Sequence, residues 1–343
     1  MLTLYHGALS RGIFILPPGL APVYRYLTPL PPRRDFRAQS GHNGTVADDD
    51  QEVFPYMTTA TEQRAITLGH SPDSDDAFMF YGMAEHKVDL HGLEFEHILR
   101  DIQTLNEWAT EGRLDITAIS VHAYAYVADK YNLLTHGASM GDNYGPMVVT
   151  REPSDIAALE GRLVAIPGKM TSAALAFALY LAEKGVNVET TVVPFDQIMD
   201  EVKAGKVDAG LLIHEGQLTH AREGLHKVVD LGEWWHAAYQ LPLPLGVNAI
   251  RADLPEDRQT TLSRILHDSI AYGLDHRQAG VDHAMQFARD MDTATADKFV
   301  GMYVNHWTLD MGEKGRRSIE IFLQRAADAG LIPNVLPLKF VAD

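Results

Sequence analysis

His214 and Glu215 stand at the end of a short apolar run, and that position is the first sign of chemistry in this chain. The segment Ala204-Gly-Lys-Val-Asp-Ala-Gly-Leu-Leu-Ile-His-Glu215 reads as a helix end, a turn, an apolar strand over residues 207–213, then an imidazole and a carboxylate. Open α/β sheets bury such strands and place ligands at their carboxyl ends. His214 is a residue type that takes or gives a proton near neutral pH. The same placement also suits a hydrogen-bonded structural histidine. Gly168-Lys-Met-Thr-Ser172 opens a helix directly after another strand. Free N–H groups and the helix dipole there favour an anion, with Thr171 and Ser172 as hydroxyl donors. A plain N-cap would use only one of those hydroxyls. Asp73, Asp75 and Asp76 lack the sixth-position Gly and twelfth-position Glu of a calcium loop. They read instead as a helix-capping loop, with Asp75 or Asp76 at the N-cap and both offering hydrogen bonds to a substrate. Asn143, within Asp142-Asn-Tyr-Gly-Pro146, suits either the floor of a cleft or an ordinary turn. Trp234-Trp235-His236 suits stacking on an aromatic ligand or packing of a lobe edge, packing being the simpler account.

Several templates are empty. His214-Glu215…His220 does not place two imidazoles one helical turn apart, so the zincin pattern fails. No Walker spacing, no Gly-x-Ser-x-Gly elbow and no Gly-x-Gly-x-x-Gly fingerprint occurs.

One grammar positions these residues: apolar strand, polar loop, helix. Strands are expected over residues 65–69, 114–119, 162–166 and 207–213. Helices are expected over 77–87, from after Ser120 to Tyr131, and over 171–184. Alternation of this kind calls for a mainly parallel sheet covered on both faces. A weak internal repeat adds a second constraint. Asp101-Ile-Gln-Thr-Leu-Asn-Glu-Trp-Ala-Thr-Glu-Gly-Arg-Leu-Asp115 resembles Phe195-Asp-Gln-Ile-Met-Asp-Glu-Val-Lys-Ala-Gly-Lys-Val-Asp208. Each ends in a glycine suited to closing a helix, then a basic residue, an aliphatic and Asp before a strand. Ser120 and Ile213–His214 therefore occupy nearly equivalent strand ends. Two similar lobes with such ends facing each other form a cleft, as in bilobed periplasmic-type binding proteins that close about a hinge. Residues 144–150 read as the crossing into the second lobe and residues 241–250, with their prolines, as the return. After Leu254 the chain reads as helices over 258–272, 276–289, 294–303 and 314–329, packed on the first lobe.

The chain has 343 residues and a net charge of −17. That charge argues against a nucleic-acid surface and against docking on anionic lipid, and leaves room for an anionic small substrate held by local donors. With no cysteine, disulfides, thiolate metal sites and cysteine nucleophiles are excluded. No run of about 18 apolar residues spans a membrane. Prolines interrupt the apolar stretch near the N-terminus, unlike a secretory signal. Residues 1–63 read as a disordered extension, with Met57 as an alternative start.

Taken together, six motifs resemble the 1,4-dihydroxy-6-naphthoate synthases over residues 65–340. They are Ser71-Pro-Asp-Ser-Asp-Asp-Ala-Phe-Met-Phe-Tyr81, Ile119-Ser-Val-His-Ala-Tyr124, Gly145-Pro-Met-Val-Val149, Ile166-Pro-Gly-Lys-Met-Thr-Ser172, Leu212-Ile-His-Glu215 and Leu241-Pro-Leu-Pro-Leu-Gly246. The resemblance implies an α/β, two-lobed, periplasmic-binding-protein-like (type II) fold. Lobe 1 would comprise residues 64–147 and 247–343, and lobe 2 residues 148–246. It implies a cytoplasmic lyase of menaquinone biosynthesis by the futalosine route, acting on cyclic dehypoxanthine futalosine, without metal or organic cofactor. It places the catalytic histidine on His214 and ligand-binding hydroxyls on Ser120 and on Thr171 or Ser172. One departure stands out. The first loop reads Ser-Pro-Asp-Ser-Asp-Asp where better-known members have Ser-Pro-Cys-Pro-Asn-Asp, so position 75 carries an acid in place of an amide. Two rival readings share the fold: chorismate dehydratase of the same pathway, and a non-catalytic solute-binding protein. The oligomeric state is open.

Overall fold

The computed structural model describes residues 64–288 and 292–341, together with the two-residue strand Tyr24–Arg25. Apart from that strand, the expectation for residues 1–63 lies outside the described residues. The first lobe opens with β1 (Ile66–His70) and the short helix α1 (Ser74–Met79), followed by β2 (Phe95–Leu99), α2 (Ile102–Thr110) and β3 (Ile116–Ser120). Strands β4 (Tyr131–Leu133) and β5 (Ser139–Gly141) complete this stretch. The second lobe contains β6 (Met147–Thr150), β7 (Leu163–Ile166), α3 (Ser172–Lys184), β8 (Glu189–Val192), β9 (Ala209–Leu212), β10 (His226–Asp230) and α4 (Leu231–Tyr239). The chain returns along β11 (Leu243–Arg251) and ends in helices that include α5 (Glu256–Asp275), α6 (Thr293–Tyr303) and α7 (Gly312–Asp328).

The two sheets are built alike. The first runs from the Tyr24–Arg25 strand through β2-β1-β3-β11-β4, with β5 paired to β11; the second runs β10-β6-β9-β7-β8. In each, parallel strands, four in the first sheet and three in the second, are followed by one antiparallel strand, β11 beside β3 and β6 beside β9. The internal repeat has a structural meaning in this arrangement. Asp115 immediately precedes β3 and accepts the Thr67 N–H at 2.9 Å, while Asp208 immediately precedes β9 and accepts the Leu163 N–H at 3.0 Å. Each carboxylate satisfies a backbone donor at the start of the neighbouring parallel strand. Gly112 and Gly205, at φ 64° and 72°, take the left-handed turn that ends the helix before each of these strands.

Three expectations differ from the structure. The helix expected from after Ser120 to Tyr131 covers only Val121–Tyr124, turns follow, and Tyr131 opens β4. The helix expected over residues 77–87 is two short helices, α1 and Tyr81–Ala84. Ser269 of α5 explains the break. Its hydroxyl donates to the Met79 carbonyl (2.8 Å) and accepts the Met83 N–H (3.1 Å), so it sits inside what would be one helical hydrogen bond. The C-terminal helix also packs beyond the first lobe. The largest core cluster gathers Val247 and Leu133 of the first sheet, Val148 and Leu211 of the second, Trp235 of α4 and Phe322 of α7. A core shared in this way lets α7 brace both lobes.

Candidate active site

A cavity lies between the lobes. Its walls come from the ends of β1, β3 and β9, the start of α3, and β11. Ser120, Thr171, Ser172, Asp75, Asp76 and His214 all line it. Asn143 does not. It is exposed in a turn at φ 64°, a conformation that asparagine tolerates better than most residues, so the ordinary-turn reading describes it.

His214 lies past the end of β9 rather than on it, since the strand stops at Leu212. The backbone there is left-handed, φ 54°, which a non-glycine residue adopts only where its surroundings impose it. The half-buried imidazole packs against Phe195, ring centroids 4.6 Å apart. Its Nδ1 lies 3.4 Å from Oδ2 of Asp73, across the cleft on lobe 1. Asp73 is buried, and the same oxygen accepts the Ser71 hydroxyl. Although Asp73 holds the N-cap position of α1, it makes no side-chain cap bond. The cap expected from Asp75 or Asp76 is absent because both lie inside the first turn of the helix. Asp76 instead reaches back to accept the Ser71 N–H at 2.6 Å.

The start of α3 is more committed than its sequence suggests. The Thr171 hydroxyl donates to the Gly168 carbonyl (2.9 Å) and accepts the Ala174 N–H (3.2 Å) as the N-cap. The Ser172 hydroxyl donates to the Leu245 carbonyl (2.5 Å) and accepts the His122 N–H (3.2 Å). Ser120 differs: its oxygen accepts from Asn106 at 3.0 Å, leaving its own proton for a ligand. The N–H groups of Ser172 and Ala173 have no intrahelical acceptor and lie at the cavity wall.

Burial and mutual repulsion shape the electrostatics. Burial, and then the charges of Asp76 and Asp73, push the Asp75 carboxyl well above the usual range; His214 pulls more weakly the other way. Burial also raises Asp76, opposed by its bond from Ser71. Behind the loop, burial pushes His70 down to about 4 and His97 well below its ordinary value, so both imidazoles stay neutral. Donor atoms of Asp73, Asp75 and His214 lie within 4.8 Å of one another, the one such grouping among the described residues. Because the Asp73 oxygen already faces an imidazole nitrogen and a hydroxyl, we read the group as proton-sharing.

Three lining residues were not singled out from the sequence: Asn248, Gln217 and Tyr303. Asn248 is fully buried on β11, and neither its Nδ2 nor its Oδ1 has a protein partner. A polar side chain within an apolar strand was the available signal. Tyr303 donates to Gln217 Oε1 at 2.6 Å, joining α6 of lobe 1 to lobe 2.

Comparisons with known proteins bear on the family and the fold. The chain matches the family described as menaquinone biosynthesis over residues 66–328. It is 41% identical over 275 residues to a 1,4-dihydroxy-6-naphthoate synthase of Thermus thermophilus, covering 80% of this chain and 98% of that protein. A crystal structure of an Archaeoglobus fulgidus protein is similar at a TM-score of 0.74 and 44% identity, covering 78% of this chain and 98% of that one. The alkanesulfonate-binding protein of Xanthomonas axonopodis pv. citri shares the fold at a TM-score of 0.62 and 11% identity, covering 82% and 98% of the two chains. The two-lobed α/β fold is thus periplasmic-binding-protein-like, and by sequence the chain belongs to the menaquinone biosynthesis family.

Proposed function

We propose that this protein is a carbon–carbon lyase that converts cyclic dehypoxanthine futalosine to 1,4-dihydroxy-6-naphthoate, with His214 as general base. The observation that carries the reading is the His214–Asp73 pair, 3.4 Å apart across a closed cleft. Nδ1 facing a carboxylate keeps the proton on that nitrogen, leaving Nε2 to accept one from substrate. Asp73 is a positioning residue in this scheme. Nε2 takes the proton of a substrate hydroxyl, and the oxygen's electron pair forms a carbonyl. The adjacent carbon–carbon bond breaks, and its electrons pass into the conjugated carbonyl system of the ring portion. The product is a carboxylate, and the cavity lining contains no Lys or Arg among the described residues. The N–H groups at the start of α3, with Ser120, supply neutral donors suited to such an anion. A lyase of this pathway works in the cytoplasm. Among the described residues, no helix is long and apolar enough to cross a membrane.

Purified protein incubated with cyclic dehypoxanthine futalosine, and separately with chorismate, tests the reading by mass spectrometry of the products. Turnover of chorismate alone would transfer the assignment to the dehydratase, and tight binding without turnover to a solute-binding role.

Closure has its own prediction. Asn106, fully buried on α2, donates to Ser120 Oγ (3.0 Å) and to the Met170 carbonyl of lobe 2 (3.2 Å), and accepts the Ser120 N–H (2.8 Å). Asn106→Leu leaves those groups unpaired, a loss of about 1–3 kcal/mol. The expected result is a KM raised roughly tenfold, with kcat less affected, in steady-state assays.

A further inference from the structure

We propose that Asp75 is the neutral carboxylic acid of this site, donating a hydrogen bond to the ligand oxygen that gathers negative charge during the reaction. Three neighbouring carboxylates compete for protons here, and the contacts of each decide which keeps one. Asp73 receives the Ser71 hydroxyl and faces the His214 imidazole. Asp76 receives the Ser71 N–H at 2.6 Å. Both arrangements suit an ionised acceptor. Asp75 is 8% exposed, lines the cavity, and its buried Oδ1 has no protein partner. An ionised oxygen left so would have neither water nor donor, whereas a protonated carboxyl completes the pattern by turning its O–H toward the ligand.

The groups facing Asp75 point the same way. Asp73 and Asp76 repel a charge on it; His214, on the opposite lobe, and Asp75's own backbone N–H favour that charge more weakly. Tyr303 of α6 is also electrostatically coupled to Asp75, but its hydroxyl proton is already given to Gln217, and burial holds it well above its ordinary value. Tyr303 therefore gives Asp75 no hydrogen bond, and its own backbone N–H offsets burial and repulsion only in part.

The identity of the accepting oxygen rests on the lyase reading. When the carbon–carbon bond breaks, its electron pair moves into the conjugated carbonyl, whose oxygen becomes an enolate. The Asp75 O–H strengthens its bond to that oxygen without transferring the proton, and the proton taken by His214 returns to the product carbon. A donor placed where charge develops acts on the transition state rather than on ground-state binding.

Infrared spectroscopy of the ligand-free protein at neutral pH tests the protonation, whatever the substrate. The expected result is a protonated-carboxyl C=O band that disappears in Asp75→Asn and persists in Asp76→Asn. A band that survives Asp75→Asn and is lost in Asp76→Asn would overturn the proposal. With the cyclic substrate, wild-type kcat is expected to fall as pH rises and Asp75 ionises. Asp75→Asn, which keeps a donor but cannot ionise, loses that alkaline fall while losing less than about tenfold in kcat; Asp75→Ala loses about 100-fold. An unchanged alkaline limb in Asp75→Asn would equally overturn it. Should the wild type fail to turn over the cyclic compound, the lyase reading falls, and the infrared band still decides the state of Asp75.

Discussion

His214→Ala is expected to lower kcat for the cyclic substrate by about 10²–10⁴-fold, the usual contribution of a positioned general base. KM should change far less, because the imidazole acts on a proton in transit rather than on bound substrate. Stopped assays of product formation across pH check this. Asp73→Asn offers a companion test. It preserves shape but removes the carboxylate that faces Nδ1 at 3.4 Å, freeing the imidazole to adopt the other tautomer. A changed pH profile at nearly constant KM is the signature of a positioning role; a rise in KM alone would point to simple structural disturbance. Wild-type turnover by His214→Ala would remove the general base from the mechanism.

Trp235→Ala should produce the largest loss of stability, about 3–5 kcal/mol, as for other fully buried aromatics cut to alanine. Trp235 is 0% exposed. Its indole N–H donates to Ser318 of α7 at 3.2 Å, and Ser318 in turn donates to the Pro242 carbonyl at 2.6 Å. The ring lies 4.2 Å from that of Tyr239 and 5.4 Å from that of Phe322. Truncation therefore opens a cavity and leaves a hydroxyl contact unmade where α4, α7 and the returning strand meet. Urea unfolding should show a lower midpoint. A Trp235→Phe variant should recover much of the difference, since its ring refills most of the cavity that alanine leaves.

The two-lobed fold was legible because its signals are local. Apolar runs of strand length, helix-ending glycines at 112 and 205, and the paired Asp115 and Asp208 each act within one lobe. What escaped depends on contacts distant in sequence. The break between α1 and Tyr81–Ala84 is made by Ser269, some 190 residues from Met79. Asp73 looked like one acid among several, and only closure of the cleft brings it to His214. The sequence leaves Thr171 and Ser172 open between anion donors and a plain N-cap, and only the fold shows Thr171 as the cap and nearby carbonyls holding both hydroxyl protons. Asn248 was passed over inside its strand because burial without a partner is visible only once the cavity wall exists.

The lining of that cavity has a consequence for how substrate arrives. Three acidic side chains, Asp73, Asp75 and Asp76, two of them ionised, and no Lys or Arg among the described residues face a compartment inside a chain of net charge −17. An anionic substrate must then approach against the protein's field, the reverse of the steering that speeds many charged encounters. Added salt shortens the reach of that field, to about 8 Å at physiological ionic strength. The second-order rate constant kcat/KM should accordingly rise as sodium chloride is added from low ionic strength, with kcat unchanged, a slope of opposite sign to that of a cation-lined site.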